Sequence, residues 1–298
     1  MSAPSLITSE RQRLHARCIE RLLVFDRVTL TSGANKGTSV RCASNADAGN
    51  AASRTIANNI ADQLGAVDGK KLEGQTSGNV FEQLVEDFLA STFPQLEGIR
   101  PGKWRTAVVT ERTHRAVSSH EQYLHLDTLS SMAEADKVLK ASLGNDYTVA
   151  PDILVSRSKY SDDELNAKRV LVDGQSATRG AMRLVSGAAD VLHASISCKW
   201  TMRSDRAQNS RAEALNLIRN RKGRVPHIIA VVGEPTPSRL ASLALGTGDL
   251  DCVYHFALYE LQKAVRALGQ SEAIDLLEIM VEGRRLKDIS DLPLDLAV

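Results

Sequence analysis

The chain holds 298 residues, room for one large domain or two small ones, of which 43% are apolar and 24% charged. Those fractions exclude disordered, collagen-like and coiled-coil classes and leave a folded protein. Lys and Arg number 37 against 36 Asp and Glu, a formal net charge of +1, so no overall field draws the chain to nucleic acid or a membrane. Any such partner must meet a local patch.

The cysteines Cys18, Cys42, Cys198 and Cys252 stand alone, without a C-x-x-C pair or a His at zinc spacing, which fits a reducing compartment. The first residues lack a signal-peptide core, and no stretch approaches 18 uncharged apolar residues. A cytoplasmic protein without a membrane partner is expected.

In chain order, Ser9 to Leu23 reads as a helix with Leu14, Cys18, Ile19 and Leu22 at helical spacing. Residues 31–54 are small and polar, which predicts a long loop region. Thr76 and Ser77 offer a cap for a helix whose stripe is Phe81, Leu84, Val85, Phe88 and Leu89, with Glu82 at its edge. The segment 100–147 reads as mixed and mostly helical in pattern, around Gln122 to Leu143. Tyr147 to Val155 reads as a short strand with Asp152 inside it, and Arg157 to Arg169 as a solvated helix or loop. Val191 to Trp200 and Val225 to Val232 read as strands around a helix from Ser204 to Arg221, stopped by Gly223. Two more helices follow, Cys252 to Leu268 and Ser271 to Val281. Strand, helix, strand at 191–232 suggests a crossover unit and an α/β core.

The chemistry concentrates between His193 and Glu213. Alternation puts His193, Ser195, Ser197 and Lys199 on one face of their strand and the apolar Leu192, Ala194, Ile196 and Cys198 on the other. Lys199 then ends a buried strand, where an ammonium needs a nearby anion or must snorkel to water. On the following helix Arg203, Arg206, Ser210 and Glu213 fall within roughly 80° of one another. They make either an ordinary charged surface or a reader, since Arg matches phosphate and the O6/N7 edge of guanine, and Asp205 can accept from cytosine N4. Asp152 and Glu213 together with Lys199 form the set that phosphodiester hydrolysis needs, two carboxylates for a hard divalent cation and a cation near the attacking water. His193 is read as a satisfied buried histidine, and Trp104 and Trp200 as packing residues.

The blocks Ser197–Asn209, Asn216–Gly223, Pro235–Arg239, Asp251–Glu260 and Arg285–Val298 resemble the CCGG-core family of type II restriction endonucleases, the NgoMIV-like branch of the PD-(D/E)xK nuclease superfamily. Patches at Ser44–Asp47, Gly74–Asn79 with Phe81-Glu82, and Pro151-Asp152-Ile153 are similar too, so the likeness is collinear over most of the chain. It implies a restriction-endonuclease-like α/β fold, a mixed central sheet flanked by helices, with residues 1–298 as one domain and 31–54 as a DNA-contacting loop region. It implies Mg²⁺-dependent cutting of double-stranded DNA at a palindromic CCGG-core site, GCCGGC in full, leaving 5′ overhangs. Ser197-Cys198-Lys199 carries a serine where the usual tripeptide has a carboxylate, and Glu213 supplies the missing group. Asp152 matches the metal-binding Asp, Lys199 the catalytic Lys, Glu82 an additional active-site Glu, and the Cys198 carbonyl a further metal ligand. Arg203, Ser204, Asp205 and Arg206 match the reader of CCGG, and Gln75 and Asp47 readers of the outer pair. After Asp47 this sequence departs from the family, with Ala48-Gly49-Asn50 lacking a serine. A palindromic target requires at least a dimer. The resemblance implies a homotetramer, and a cognate methyltransferase in the host. A non-cleaving DNA reader with the same Arg-Ser-Asp-Arg segment is the alternative.

Overall fold

A computed structural model describes residues 4–31, 36–110, 115–143, 151–202, 204–246 and 248–298. The N-terminal half holds helix α1 (Leu6–Arg21), the antiparallel hairpin β1 (Phe25–Thr29) and β2 (Ser39–Ala43), and helices α2 (Ala51–Leu64) and α3 (Gly74–Thr92). Strand β3 (Lys103–Val108) follows, then α4 (Arg115–Ser118), α5 (Leu124–Ala135) and α6 (Lys137–Leu143). The second half runs β4 (Ile153–Ser158), α7 (Asp162–Asn166), β5 (Val191–Lys199), α8 (Ser204–Asn220), β6 (His227–Val232), α9 (Pro237–Ala244) and β7 (Cys252–His255). It ends with α10 (Leu258–Leu268), α11 (Ser271–Glu282), β8 (Leu286–Asp288) and α12 (Leu292–Asp295).

Strands β3 to β8 lie side by side in sequence order as one mixed sheet flanked by helices. The β3/β4 and β4/β5 pairs are antiparallel, and β5 to β8 are parallel. The parallel half follows from the connections, since a helix separates each pair of strands and carries the chain back across the sheet. Central strands buried on both faces read as apolar runs, and Ile228 to Val232 of β6 is such a run. Phe81, Leu84, Phe88 and Leu89 bury the stripe of α3 as the spacing predicts, and this helix packs against β3 and β5.

A guanidinium ties the first helix to the far end of the sheet. Arg11 of α1 donates to both carboxylate oxygens of the fully buried Asp288 at 2.8 Å and to Glu260 of α10 at 2.7 Å. Asp288 also accepts the N–H of Leu258 at 3.0 Å, so one carboxylate fixes α1, β8 and the start of α10.

Several expectations change. The stretch 31–54 is not a continuous loop: it contains β2 and the start of α2, and Cys42, Ala43, Ser44, Asn45 and Ala46 are buried. Small residues there permit close packing rather than mark exposure. The opening helix begins at Leu6 under a Ser5 cap, and α3 begins at Gly74 without a side-chain cap. Within the mixed segment 100–147, residues 103–108 form an edge strand, and Cys252–His255 is a strand rather than the first turn of a helix. Asp152 precedes β4 instead of lying inside it, although its N–H still bonds Ile196 and its carbonyl accepts from Val109. The expected residues Tyr147 to Ala150 of that strand lie outside the described residues. Among the described residues no helix is long and apolar enough to cross a membrane.

Candidate active site

Asp152 reaches the site because the antiparallel ladder sets Ile153 opposite Ile196 and continues one residue further, which brings Asp152 beside the end of β5. Its Oδ2 accepts the Cys198 N–H at 2.7 Å and the Lys199 ammonium at 2.8 Å. The Asp152 side chain is 4% exposed and that of Lys199 18%, so this ion pair is largely withdrawn from solvent and weakly screened. Lys199 thus has the nearby anion that its place on a buried strand requires.

Lys199 and Cys198 line a cleft of about 430 Å³ with Gln75 and Glu82 of α3 and Glu213 of α8. Gln75 and Glu82 are seven residues apart and so share a helix face, the first exposed and the second buried. Glu213 is placed by the packing of α8 on β5, where the Ser197 and Ser210 hydroxyls meet at 3.3 Å one turn before it. Both faces of β5 are therefore covered, the serine face by α8. A bulge opposite Val155 and Ser156 breaks the two-residue alternation near His193. His193 consequently stacks on Phe93 and meets Trp104, away from Lys199, with Nε2 on the Leu296 carbonyl at 2.8 Å. It is a satisfied buried histidine, and burial pushes its pKa down to about 4. Trp200 packs between Phe81 and Phe256, and Trp104 against Phe93.

Arg203 lies outside the described residues, as do the side chains of Ser204, Asp205 and Arg206, which occupy the first turn of α8. Asp47 stands apart from the cleft: one carboxylate oxygen accepts the Gly49 N–H at 3.0 Å and the other is bonded by Arg239. Arg239 also donates to the Met202 carbonyl at 3.0 Å and lies 3.7 Å from the buried Glu234. Burial opposes the Arg239 charge, but Asp47 and Glu234 outweigh it and hold the pKa above its ordinary value. Burial pushes the Glu234 carboxyl up. Neither Glu234 nor Arg239 stood out as a separate site residue in the sequence. The signal for Glu234 was a carboxylate closing an apolar strand just before Pro235, where a lone buried acid needs partners.

Strand order, with Asp152 and Lys199 meeting at the junction of the antiparallel and parallel halves, places the protein in the restriction-endonuclease-like class. The chain belongs to the NgoMIV restriction enzyme family, whose model matches residues 21–298. It is 49% identical over 294 residues to the type II restriction enzyme NgoMIV of Neisseria gonorrhoeae, covering 98% of this chain and 99% of that one. It is accordingly a site-specific deoxyribonuclease that acts on double-stranded DNA.

Proposed function

We propose that this endonuclease cuts a palindromic CCGG-core site, GCCGGC in full, in a Mg²⁺-dependent reaction that leaves 5′ overhangs. The observation that carries the reading is the 2.8 Å Lys199–Asp152 pair, whose lysine lines one cleft with Glu82 and Glu213. The donor set suits a hard cation: the carboxylates of Asp152, Glu213 and Glu82, with the Cys198 carbonyl, would hold Mg²⁺. Among the described residues no three His, Cys, Asp or Glu are already gathered as a metal cluster. When bound, the ion supplies charge stabilisation at the phosphate and a more acidic water. Asp152 holds the Lys199 ammonium in place, and Lys199 orients the attacking water toward the scissile phosphate. The buried position of Glu82 keeps a carboxylate on the cleft wall without competing solvent.

In this reading Arg203 together with Ser204, Asp205 and Arg206 of α8 reads the CCGG core in the major groove, and Gln75 and Asp47 read the outer pair. A palindrome is read by symmetric copies, so the acting form is a homo-oligomer, a tetramer, serving beside a methyltransferase that protects host sites. The test is incubation of two plasmids, one carrying GCCGGC and one with CCGG in another context, with Mg²⁺ and with chelator. Discrete Mg²⁺-dependent fragments from the first alone support the full site. Fragments from both restrict the reading to CCGG, and retained binding without cutting replaces it with the non-cleaving reader.

A further inference from the structure

The peptide of Met202, immediately before Arg203, is held at both ends from one neighbouring segment. Glu234 Oε2 accepts the Met202 N–H at 3.0 Å, and Arg239 donates to the Met202 carbonyl at 3.0 Å. Glu234 Oε1 accepts the Thr236 N–H at 3.1 Å, which shapes the turn that brings Arg239 back toward it. The same segment is fastened to the catalytic strand, since Gly233 N–H donates to the Lys199 carbonyl at 2.9 Å. It is fastened to the region of Asp47 as well: Asn45 donates to the Gly233 carbonyl at 2.8 Å, and Arg239 bonds Asp47. Glu234 is 1% exposed and Met202 also 1%. A carboxylate so buried cannot itself meet a base or phosphate. Its charge is costly there, and in return it orders two backbone amides and faces one guanidinium.

We propose that Glu234 is a positioning residue for sequence discrimination, fixing the Met202 backbone that leads into α8 and, through Arg239, its spacing from Asp47. The proposal rests on the reading of those residues as base readers. It makes core and outer-pair recognition interdependent, because one buried carboxylate orders the Met202 backbone and faces the guanidinium that bonds the Asp47 side chain. Small misplacements of such groups cost about 100-fold in rate even when the altered residue is remote from the chemistry.

The test compares wild type with Glu234→Gln, which keeps the volume but turns one acceptor into a donor, so that either Met202 or Thr236 loses its partner. Cleavage rates are measured at GCCGGC, at sites with one core base changed and at sites with the outer pair changed. Thermal unfolding is followed in parallel, with Arg11→Ala as a variant destabilised far from the cleft. The expected result is a fall of about 10–100-fold in both discrimination ratios for Glu234→Gln, with Arg11→Ala keeping the wild-type ratios at temperatures where it is folded. Unchanged ratios in a folded Glu234→Gln, whatever its stability, overturn the proposal. Should that variant not fold, the ratios are read on Glu234→Asp, whose shorter side chain cannot serve both amides, and unchanged ratios there overturn it equally. If wild type itself does not distinguish CCGG from altered cores, the base-reader assignment fails first and this proposal with it.

Discussion

Replacing Asp152 by Asn separates the charge of this residue from its shape. In the wild-type site Oδ2 accepts two bonds, from the Cys198 N–H at 2.7 Å and from Lys199 at 2.8 Å. An amide oxygen in the same place can still accept both, but neither bond is any longer made to an anion. Bonds to charged groups are about twice as strong as neutral ones, so the cost in stability is about 1–2 kcal/mol. For a chain of this size that lowers Tm by roughly 2–6 °C. Catalysis loses far more, because the anion that holds Lys199 and would bind Mg²⁺ is gone. The expected fall in cleavage is about 1,000-fold, or about 4 kcal/mol in the barrier. Asp152→Ala, in contrast, strands the Cys198 N–H and the Lys199 ammonium, and costs about 3–5 kcal/mol in stability as well. The assay is single-turnover conversion of supercoiled plasmid with enzyme in excess, beside thermal unfolding of each variant. A folded Asp152→Asn enzyme that cuts within about tenfold of wild type, a loss of no more than about 1.4 kcal/mol, would refute the reasoning.

Arg11→Ala leaves the fully buried Asp288 without its guanidinium and is expected to cost about 3–5 kcal/mol, read as a lower urea midpoint with cleavage retained at 25 °C. A midpoint shift under about 1 kcal/mol would show that the clamp contributes little. Gly233→Ala places a methyl 2.5 Å from Trp200 Cε3 and 2.8 Å from the Trp200 carbonyl. Overpacking of about 1–3 kcal/mol is expected, with a changed Trp fluorescence spectrum and slower cleavage, since Trp200 adjoins Lys199. An unaltered spectrum and rate would contradict the close contact. Burial pushes both His193 and His255 down to about 4 from 6.5. The unfolded chain therefore takes up these protons first, and stability is complete above pH 6.5 and declines as pH falls toward 4, by up to about 3 kcal/mol for each histidine. Urea midpoints at pH 7.0, 5.5 and 4.5 check the sign, and His193→Gln should flatten the curve.

The sequence was most legible where a single element decides the outcome. The stripe of α3 and the apolar run of β6 are properties of one segment, and both appear as their spacing predicts. The need of Lys199 for an anion was also local, because a strand-end ammonium among buried residues has few other solutions. That Asp152 answers it depends on register between residues 47 positions apart; the need for paired carboxylates made Asp152 a candidate, and the resemblance singled it out. Local patterns misled where tertiary burial overrode them. Cys252 to His255 is buried from both sides, so it lacks the alternation of a strand, and Val253, Ala257 and Leu261 continue a false helical period across the turn. His193 was placed on the wrong side because a bulge shifts every alternation argument by one residue, and nothing in VLHASISCK marks its position. The roles of Glu234 and Arg239 could not be assigned for another reason: their partners, Met202 and Asp47, stand 32 and 192 residues away.

Cys198 joins the candidate site through its main chain, since its thiol is buried and its backbone N–H, rather than its side chain, is what Asp152 accepts. A main-chain donor is supplied alike by every residue except proline, so this contact makes demands on volume and strand geometry rather than on reactivity. The contact with Asp152 is in that respect independent of the thiol. With the thiol only 4% exposed, oxidants and alkylating reagents that consume accessible cysteines have little to attack here. Ala or Val in its place would alter packing and leave intact the contact on which the ion pair rests.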